Sequence, residues 1–291
     1  MSPTPADLVS AVASEIERLR AAATLRYGEA LIEVGRAGDG WRGTVALPSQ
    51  AVEFRTRLEA IWPGARCSLL VLAERRARLA LYPDGPPLDV WRHRPDGDTE
   101  PAELTTQLLP GDPPAALLAV REGQFLVRAP GQAVGWVGRS ARFRWGPALA
   151  EADPGVLAVP ESGWPIESVR ATALALLGRP YVFGGTGGQG VDCSGLVWRA
   201  YLAAGVLLPR NSRAQRQVGE RIRIAGLREA DLICAVHRGP RRTSHIAIYL
   251  GGDEVVHACS ECHEVRREPL AEFRERYQVL TVRRVPGALA R

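Results

Sequence analysis

The sequence predicts an α+β chain in three regions: a small α+β domain over residues 1-83, a small β-barrel over 87-145 and a larger α+β domain over 160-288. Three observations predict it. Near the start, helical apolar spacing alternates with strand-like runs. The middle holds short strand-like pieces parted by turn residues. In the last region helical stretches come first and a run of strands follows, the order that segregates helices from an antiparallel sheet.

The elements follow in order. Ala6 to Arg26 has the spacing of an amphipathic helix. Glu29 to Val34 and Arg42 to Leu47 flank Gly38-Asp39-Gly40, a hairpin signal. Ser49 is an N-cap for a helix that Pro63-Gly64 stops near Trp62, and Cys67 to Ala73 and Ala77 to Tyr82 read as two more strands. This first region loosely resembles the bacterial domain named for osmotic and nodulation proteins. Pro83 to Pro87 is a hinge. Leu88 to His93, Ala102 to Leu109, Ala115 to Arg121, Gln124 to Arg128 and Gly135 to Gly138 have the even spacing of a small barrel, in which Trp91, Trp136 and Trp145 either line a groove or fill the core. Trp145 to Pro165 reads as a second linker and Ser168 to Leu177 as a helix. Ile222 to Ile224, Asp231 to Val236, His245 to Leu250, Glu254 to Ala258, His263 to Arg267 and Val279 to Val285 read as strands.

Composition bounds the function. At 46% hydrophobic and 24% charged, the 291 residues are globular in character. The net charge is +5, yet all 37 basic residues are arginine, a bias of the whole composition that gives no reason to expect a nucleic-acid partner. Without lysine there is no Schiff-base chemistry at a lysine side chain. No apolar run reaches the length of a membrane span, and MSPTPADLVSAVASEIERLR lacks the basic and apolar segments of a signal peptide, so no membrane partner and a cytoplasmic location are expected. Five cysteines, an odd number, suit reduced thiols.

The chemistry gathers around Gly178 to Pro209. A Gly-rich loop, Gly184 to Gly190, leads to Asp192-Cys193-Ser194, where Asp192 is an N-cap and Cys193 opens an apolar helix ending before Gly205. A thiol in a first helical turn faces unpaired N–H groups, which favour its thiolate. A thiol nucleophile also needs a base, and the base an orienter. His245 starts one strand and His257 ends the next across Gly251-Gly252-Asp253, so adjacent antiparallel strands set the two imidazoles side by side. His237, in an Arg-rich loop, reads as solvent-facing.

The ordered motifs Gly-Arg-Pro-Tyr-Val-Phe-Gly-Gly, Asp-Cys-Ser-Gly-Leu-Val, Leu-Pro-Arg-Asn-Ser, Asp-Leu, His-Ile-Ala-Ile-Tyr-Leu-Gly and Val-His-Ala resemble the NlpC-type family of papain-like cell-wall peptidases over about residues 165 to 285. The resemblance implies a papain-like cysteine peptidase domain at the C-terminus. It implies Cys193 as nucleophile, His245 as base and His257 as orienter, hydrolysing the bond between γ-D-glutamate and a diamino acid in peptidoglycan stem peptides. Tyr181 lies near the thiol in such a site, Asp192 and Ser194 contact substrate, and the backbone N–H of Cys193 is an oxyanion donor. The segment from Pro110 to Ala141, with Gly135-Trp136-Val137, resembles the bacterial Src-homology-three-like barrel. Barrel-bearing members resemble wall-recycling enzymes that take peptides with a free N-terminal L-alanine (L-Ala-γ-D-Glu-diamino acid), held by a carboxylate after Leu-Pro-Arg. Here that position is Asn211, which brings no charge. Arg210, Arg213 and Arg216 are expected either to meet substrate carboxylates or to form a solvated face. Ala230, where the family has glycine, is expected to be harmless on a turn.

Neither metal nor cofactor is expected. His257, Cys259, Cys262 and His263 crowd into seven residues, unlike the separated pairs of a structural zinc site, and a Cys259–Cys262 redox pair stands as an alternative. The glycines of 184–190 lack the Lys-Ser or Lys-Thr of a phosphate loop. Two rival functions remain: a broader amidase or acyltransferase on the same scaffold, and a non-catalytic module that binds wall fragments.

Overall fold

The computed structural model of the chain describes residues 4–27, 32–45, 48–72, 77–94, 103–149, 158–239 and 243–289. The calls at Glu29, Leu47, Ala73 and Ala102 fall outside these residues. The first layer has helix α1 (Pro5–Tyr27), strands β1 (Ile32–Ala37) and β2 (Gly40–Val45), helix α2 (Pro48–Ile61) and strand β3 (Arg66–Val71). β1 and β2 form the expected hairpin, and α2 carries the chain across so that β3 lies parallel to β2. Val12 and Ile16 of α1 and Phe54 and Leu58 of α2 meet Val34, Trp41 and Val45 of the sheet in a separate core.

β4 (Leu79–Pro83) leaves this layer. The sequence pattern groups it with the first region, but its partners are in the next sheet. That sheet adds β5 (Leu88–Trp91), β6 (Leu104–Leu108), β7 (Ala115–Arg121), β8 (Gln124–Ala129), β9 (Ala133–Val137) and β10 (Phe143–Pro147), in the order β10-β4-β7-β8-β9-β5-β6. It is a half-barrel with β10 and β6 as its edges. β10 starts at the end of the region read as barrel and runs into the stretch read as linker; its aromatic residues Phe143 and Trp145 pack edge-on against Phe125 of β8. Of the three tryptophans considered for a groove, Trp136 is buried core and Trp145 is half exposed.

The last region opens with the short strand β11 (Trp164–Pro165) and helix α3 (Ile166–Ala175). Helix α4 (Cys193–Ala203), the short α5 (Ser212–Gln215), β12 (Glu220–Ile222), β13 (Leu232–His237), β14 (Ser244–Gly251), β15 (Glu254–Cys259) and β16 (Glu264–Pro269) follow, then α6 (Leu270–Arg276), β17 (Tyr277–Arg284) and β18 (Ala288–Leu289). Six of the strands form a sheet of order β12-β17-β13-β14-β15-β16, antiparallel throughout. Alternation along β14 divides its residues between two cores: Ile246 and Ile248 pack with α4, and Ala247 and Tyr249 with Phe273 of α6. The mixed helix-and-strand composition and the papain-like plan of the C-terminal domain are as expected. α6 is not; it fills the stretch left unassigned between the strands read at His263 to Arg267 and Val279 to Val285.

The half-barrel and the papain-like domain share one core, in which Leu81, Leu88, Leu108 and Val127 are continuous with Leu196, Trp198 and Tyr201. Ala230 occupies a turn at φ +69, the left-handed region that costs a side chain and spares glycine. Its substitution for glycine is therefore not free of strain. The turn is held by the Tyr201 hydroxyl, which donates to the Ala230 carbonyl.

Candidate active site

Cys193 is the first residue of α4, as the sequence indicates, and Asp192 caps the helix by accepting from the Gly195 N–H at 2.6 Å. The other carboxylate oxygen accepts from the Gly184 N–H at 2.8 Å, which binds the glycine loop to the cap. Glycine is required at Gly195, where a Cβ would lie 2.0 Å from the Gly185 carbonyl oxygen. At Gly184, with φ +77, a Cβ would meet the Leu104 carbonyl of the half-barrel at 2.4 Å.

Arg210 lies behind this turn, only 3% exposed. Its Nη1 donates to Asp192 at 3.1 Å and Ser194 Oγ at 2.9 Å, its Nη2 to the Gly185 carbonyl at 3.2 Å and Asp192 at 3.0 Å, and its Nε to Thr106 Oγ1 at 2.9 Å. All five guanidinium donors are thus engaged inside the protein. Arg210 does not reach for a substrate carboxylate; it neutralises the buried cap. Asp192 and Ser194, which hydrogen-bond each other at 3.0 Å, are likewise buried and turned into this network. Asn211 caps α5, its Oδ1 accepting from the Ala214 N–H at 3.0 Å, while Arg213 and Arg216 are exposed.

The Cys193 thiol is 7% exposed, with the backbone N–H groups of Ile246 and Ser194 against it. Ile246 directly follows His245, so the thiol meets β14 at the candidate base. Burial, followed by the Asp192 charge, pushes the thiol up to about 12, against the pull of those two N–H groups and Arg210. Desolvation thus outweighs the helix terminus, and the resting sulfur is a thiol rather than the thiolate that the helix position alone favours. Tyr181 is close by. Burial, then Cys193 and Asp192, raise its hydroxyl.

His245 Nε2 lies 2.8 Å from His257 Nδ1, and His257 Nε2 lies 2.9 Å from Glu268 Oε1. Glu268, 2% exposed, also pairs with Arg276 of α6 and, at 3.2 Å, with Arg266. Burial raises its carboxyl, but the hydrogen bonds from His257 and Arg276 more than offset this, and it is held ionised. Burial first lowers both histidines, His245 well below its ordinary value, and each imidazole is neutral. These facts fix the tautomers. A carboxylate only accepts, so His257 Nε2 carries the hydrogen and its Nδ1 is an acceptor. His245 must then donate from Nε2, which leaves its Nδ1 lone pair as the base. Tyr277 stacks on the His245 ring at 4.2 Å and 12° and fixes its plane.

Sequence reasoning finds Cys193, His245 and His257 but misses Glu268, Arg276 and Tyr277. Glu268 stands among arginines in Arg266-Arg267-Glu268, a pattern indistinguishable from a solvated strand. Strict alternation along β16 does not reveal it: Val265 and Glu268, three positions apart, are both buried, and Arg267 between them is exposed. His237 is less open than the sequence implies: its Nε2 pairs with Glu261 at 2.6 Å and its ring packs edge-on against Tyr277.

A helix that opens on a thiol, laid across an antiparallel sheet that carries two linked histidines, defines a papain-like domain. The comparisons with known proteins say which one: residues 178–284 match the model of the NlpC/P60 family, and the chain carries a domain of that family. The γ-D-glutamyl-L-lysine dipeptidyl-peptidase of Bacillus subtilis strain 168 is 29% identical over 119 residues, 40% of each chain. The protein of that name from Bacillus cereus is 35% identical over 88 residues, 30% of this chain and 26% of the relative. The chain thus spans well under half the length of these curated relatives. Among solved structures, an NlpC/P60 family protein from Bacillus cereus has a TM-score of 0.38 at 22% identity, over 73% of this chain and 65% of that one. These relatives make the chain similar to peptidoglycan peptide hydrolases. The family match does not extend to the half-barrel, whose likeness to Src-homology-three barrels rests on its sequence pattern.

Proposed function

We propose that this protein is a cysteine peptidase that hydrolyses the γ-D-glutamyl–diamino acid bond of peptidoglycan stem peptides. The observation that carries the reading is a Cys193 thiol at a capped helix start, against the Ile246 N–H that directly follows His245, together with the His245–His257–Glu268 hydrogen-bonded chain. His245 Nδ1 takes the thiol proton as Sγ attacks the γ-glutamyl carbonyl, and the Cys193 backbone N–H receives the developing oxyanion. The proton then passes to the departing amine, and water, activated by the same imidazole, hydrolyses the thioester. Proton transfer inside a neutral pair suits a buried site, because no charge is held there between turnovers. Tyr181, next to the thiol, positions the acyl group. Asp192, Ser194 and Arg210 act by holding the nucleophile turn.

The names of the similar dipeptidyl-peptidases support short peptides as substrates; the reading extends to murein peptide recycling in the cytoplasm as part of the proposal. Asn211, without charge and engaged in a cap, is not the group that holds a free amine. The test is mass spectrometry of L-Ala-γ-D-Glu-diamino acid tripeptide and its N-acetylated form after incubation with the protein. Cleavage of the free-amine peptide is expected, with loss of all turnover in Cys193→Ala. Cleavage that survives Cys193→Ala sinks the thiol mechanism, and failure to cleave either peptide sinks the substrate assignment.

A further inference from the structure

Cys259 and Cys262 have no part in the hydrolysis described above, yet their surroundings are built. Cys259 ends β15 fully buried, and Cys262 lies three residues on in the turn to β16, partly exposed. The Cys262 amide donates to Cys259 Sγ at 3.1 Å, and the Cys262 side chain lies against the Cys259 thiol. Arg266 Nη1 is 3.2 Å from Cys262 Sγ, a guanidinium set directly beside this sulfur. A second observation points to the same place. The Tyr277 hydroxyl is buried without a well-formed hydrogen bond, and Cys259 is the sulfur facing it.

The turn is also tied to the candidate site on several sides. Arg266 touches both Cys262 and Glu268, the carboxylate that orients His257. Tyr277, beside Cys259, stacks on His245. Glu261 pairs with His237, and the His263 carbonyl accepts from the Tyr181 N–H at 2.9 Å. A change of covalent state in this turn therefore reaches the base from one side and Tyr181 from the other.

We propose that Cys259 and Cys262 form a reversible redox site, a dithiol that peroxide converts to a disulfide, and that the disulfide slows the hydrolase. The coupling to turnover rests on the function proposed above; the oxidation does not. The Cys262 thiolate attacks one peroxide oxygen, and the O–O bond breaks with release of water and a sulfenic acid on Cys262. The Cys259 thiol attacks that sulfur, the S–S bond forms and a second water leaves. Two thiols are oxidised and one hydrogen peroxide is reduced to two waters. Closing the bond draws Cys262 off Arg266, so the guanidinium loses its sulfur contact and bears on Glu268 alone, while the Tyr277 platform under His245 shifts.

The test treats the full-length protein with hydrogen peroxide, then digests it with trypsin. Cys259 and Cys262 share the peptide Thr243–Arg266, whereas Cys193 is alone in Ala171–Arg199. The expected result is loss of two hydrogens from the first peptide with Cys193 still alkylatable, and a fall in kcat of about 10-fold, the scale of effects that act through an orienting partner. Dithiothreitol restores the rate, and Cys262→Ser keeps basal activity while losing the peroxide response. Peptide masses are read without substrate, so they stand even where hydrolysis is not found. An unchanged Thr243–Arg266 mass overturns the proposal. So does a disulfide that leaves kcat intact, or a Cys262→Ser protein that is inhibited as the parent is, which places the oxidation at Cys193.

Discussion

The two halves of the candidate site are stabilised by the same device in different parts of the chain. On the thiol side a buried carboxylate, Asp192, is neutralised by Arg210. On the base side a buried carboxylate, Glu268, is neutralised by Arg276 and Arg266. The difference is reach. Glu268 and Arg276 are neighbours across a strand end and the following helix, so the base side is complete within the papain-like domain. Arg210 spends its Nε on Thr106 of β6, and its backbone N–H donates to the Gly131 carbonyl between β8 and β9 at 2.8 Å. Arg199, one turn and a half into α4, forms a paired contact with Asp112, and Thr186 Oγ1 donates to the Gln107 carbonyl at 3.0 Å. The nucleophile turn is thus partly made by the half-barrel, and an upstream module that looks accessory is structural to the chemistry. The first layer differs again: it keeps a core of its own and meets the half-barrel through Leu72, buried against Leu126 and Trp136, and through the exposed Arg121–Glu33 pair.

The comparison is broken most strongly at Arg210. Arg210→Met leaves Asp192 buried without its cation, a loss of about 3–5 kcal/mol, expected as a large drop in the denaturant midpoint together with loss of turnover. A stable, active Arg210→Met protein would remove the ion pair from the account of the thiol side. Glu268→Gln separates orientation from stability. The fold survives because an amide still hydrogen-bonds, but the His257 tautomer is no longer enforced, and kcat falls roughly 10–100-fold with KM little moved. A change confined to KM would make Glu268 a substrate contact instead. Thr106→Val probes the crossing between domains by removing one hydrogen bond to a charged group, about 1.5–3 kcal/mol. If stability is unaffected, the half-barrel and the nucleophile turn are less coupled than the geometry indicates.

The pH dependence sharpens the base side. The imidazole must be neutral to accept the thiol proton, and burial places the His245 value well below its ordinary 6.5. As pH falls through 6.5, kcat/KM is therefore flat, and its acid limb lies well below. Stability follows a different course. Below 6.5 the unfolded chain binds protons that buried His245 and His257 do not, so folding stability declines as pH falls from that point. A thiolate–imidazolium resting pair would instead give fast alkylation of Cys193 by iodoacetamide in mild acid, and the neutral pair predicts slow alkylation there.

What the sequence makes legible is what is local. Asp192-Cys193 marks a cap and a helix start within two residues, and His245 and His257 flank a single hairpin. Their identities and mutual placement needed only the strand period and the Gly-Gly-Asp turn. What it conceals is pairing across distance. Arg210 reads as a substrate-facing or solvated cation because nothing near it in sequence consumes its five donors; Thr106 and Asp192 do so from far away. Glu268 and Arg276 hide in a run of alternating charges. β4 belongs to the half-barrel through partners from residue 115 onward, and α6 is too short for helical periodicity to emerge between two strands.

The pairing of β11 with β18 has a mechanical meaning. Trp164 and Pro165 lie parallel to Ala288 and Leu289, and the Trp164 indole donates to the Pro286 carbonyl at 2.7 Å, so the domain enters and leaves at one corner. Tension drawn through the chain from the half-barrel side meets this clasp first. β14 and β15, the strands that hold the two imidazoles, belong to a different sheet from this clasp.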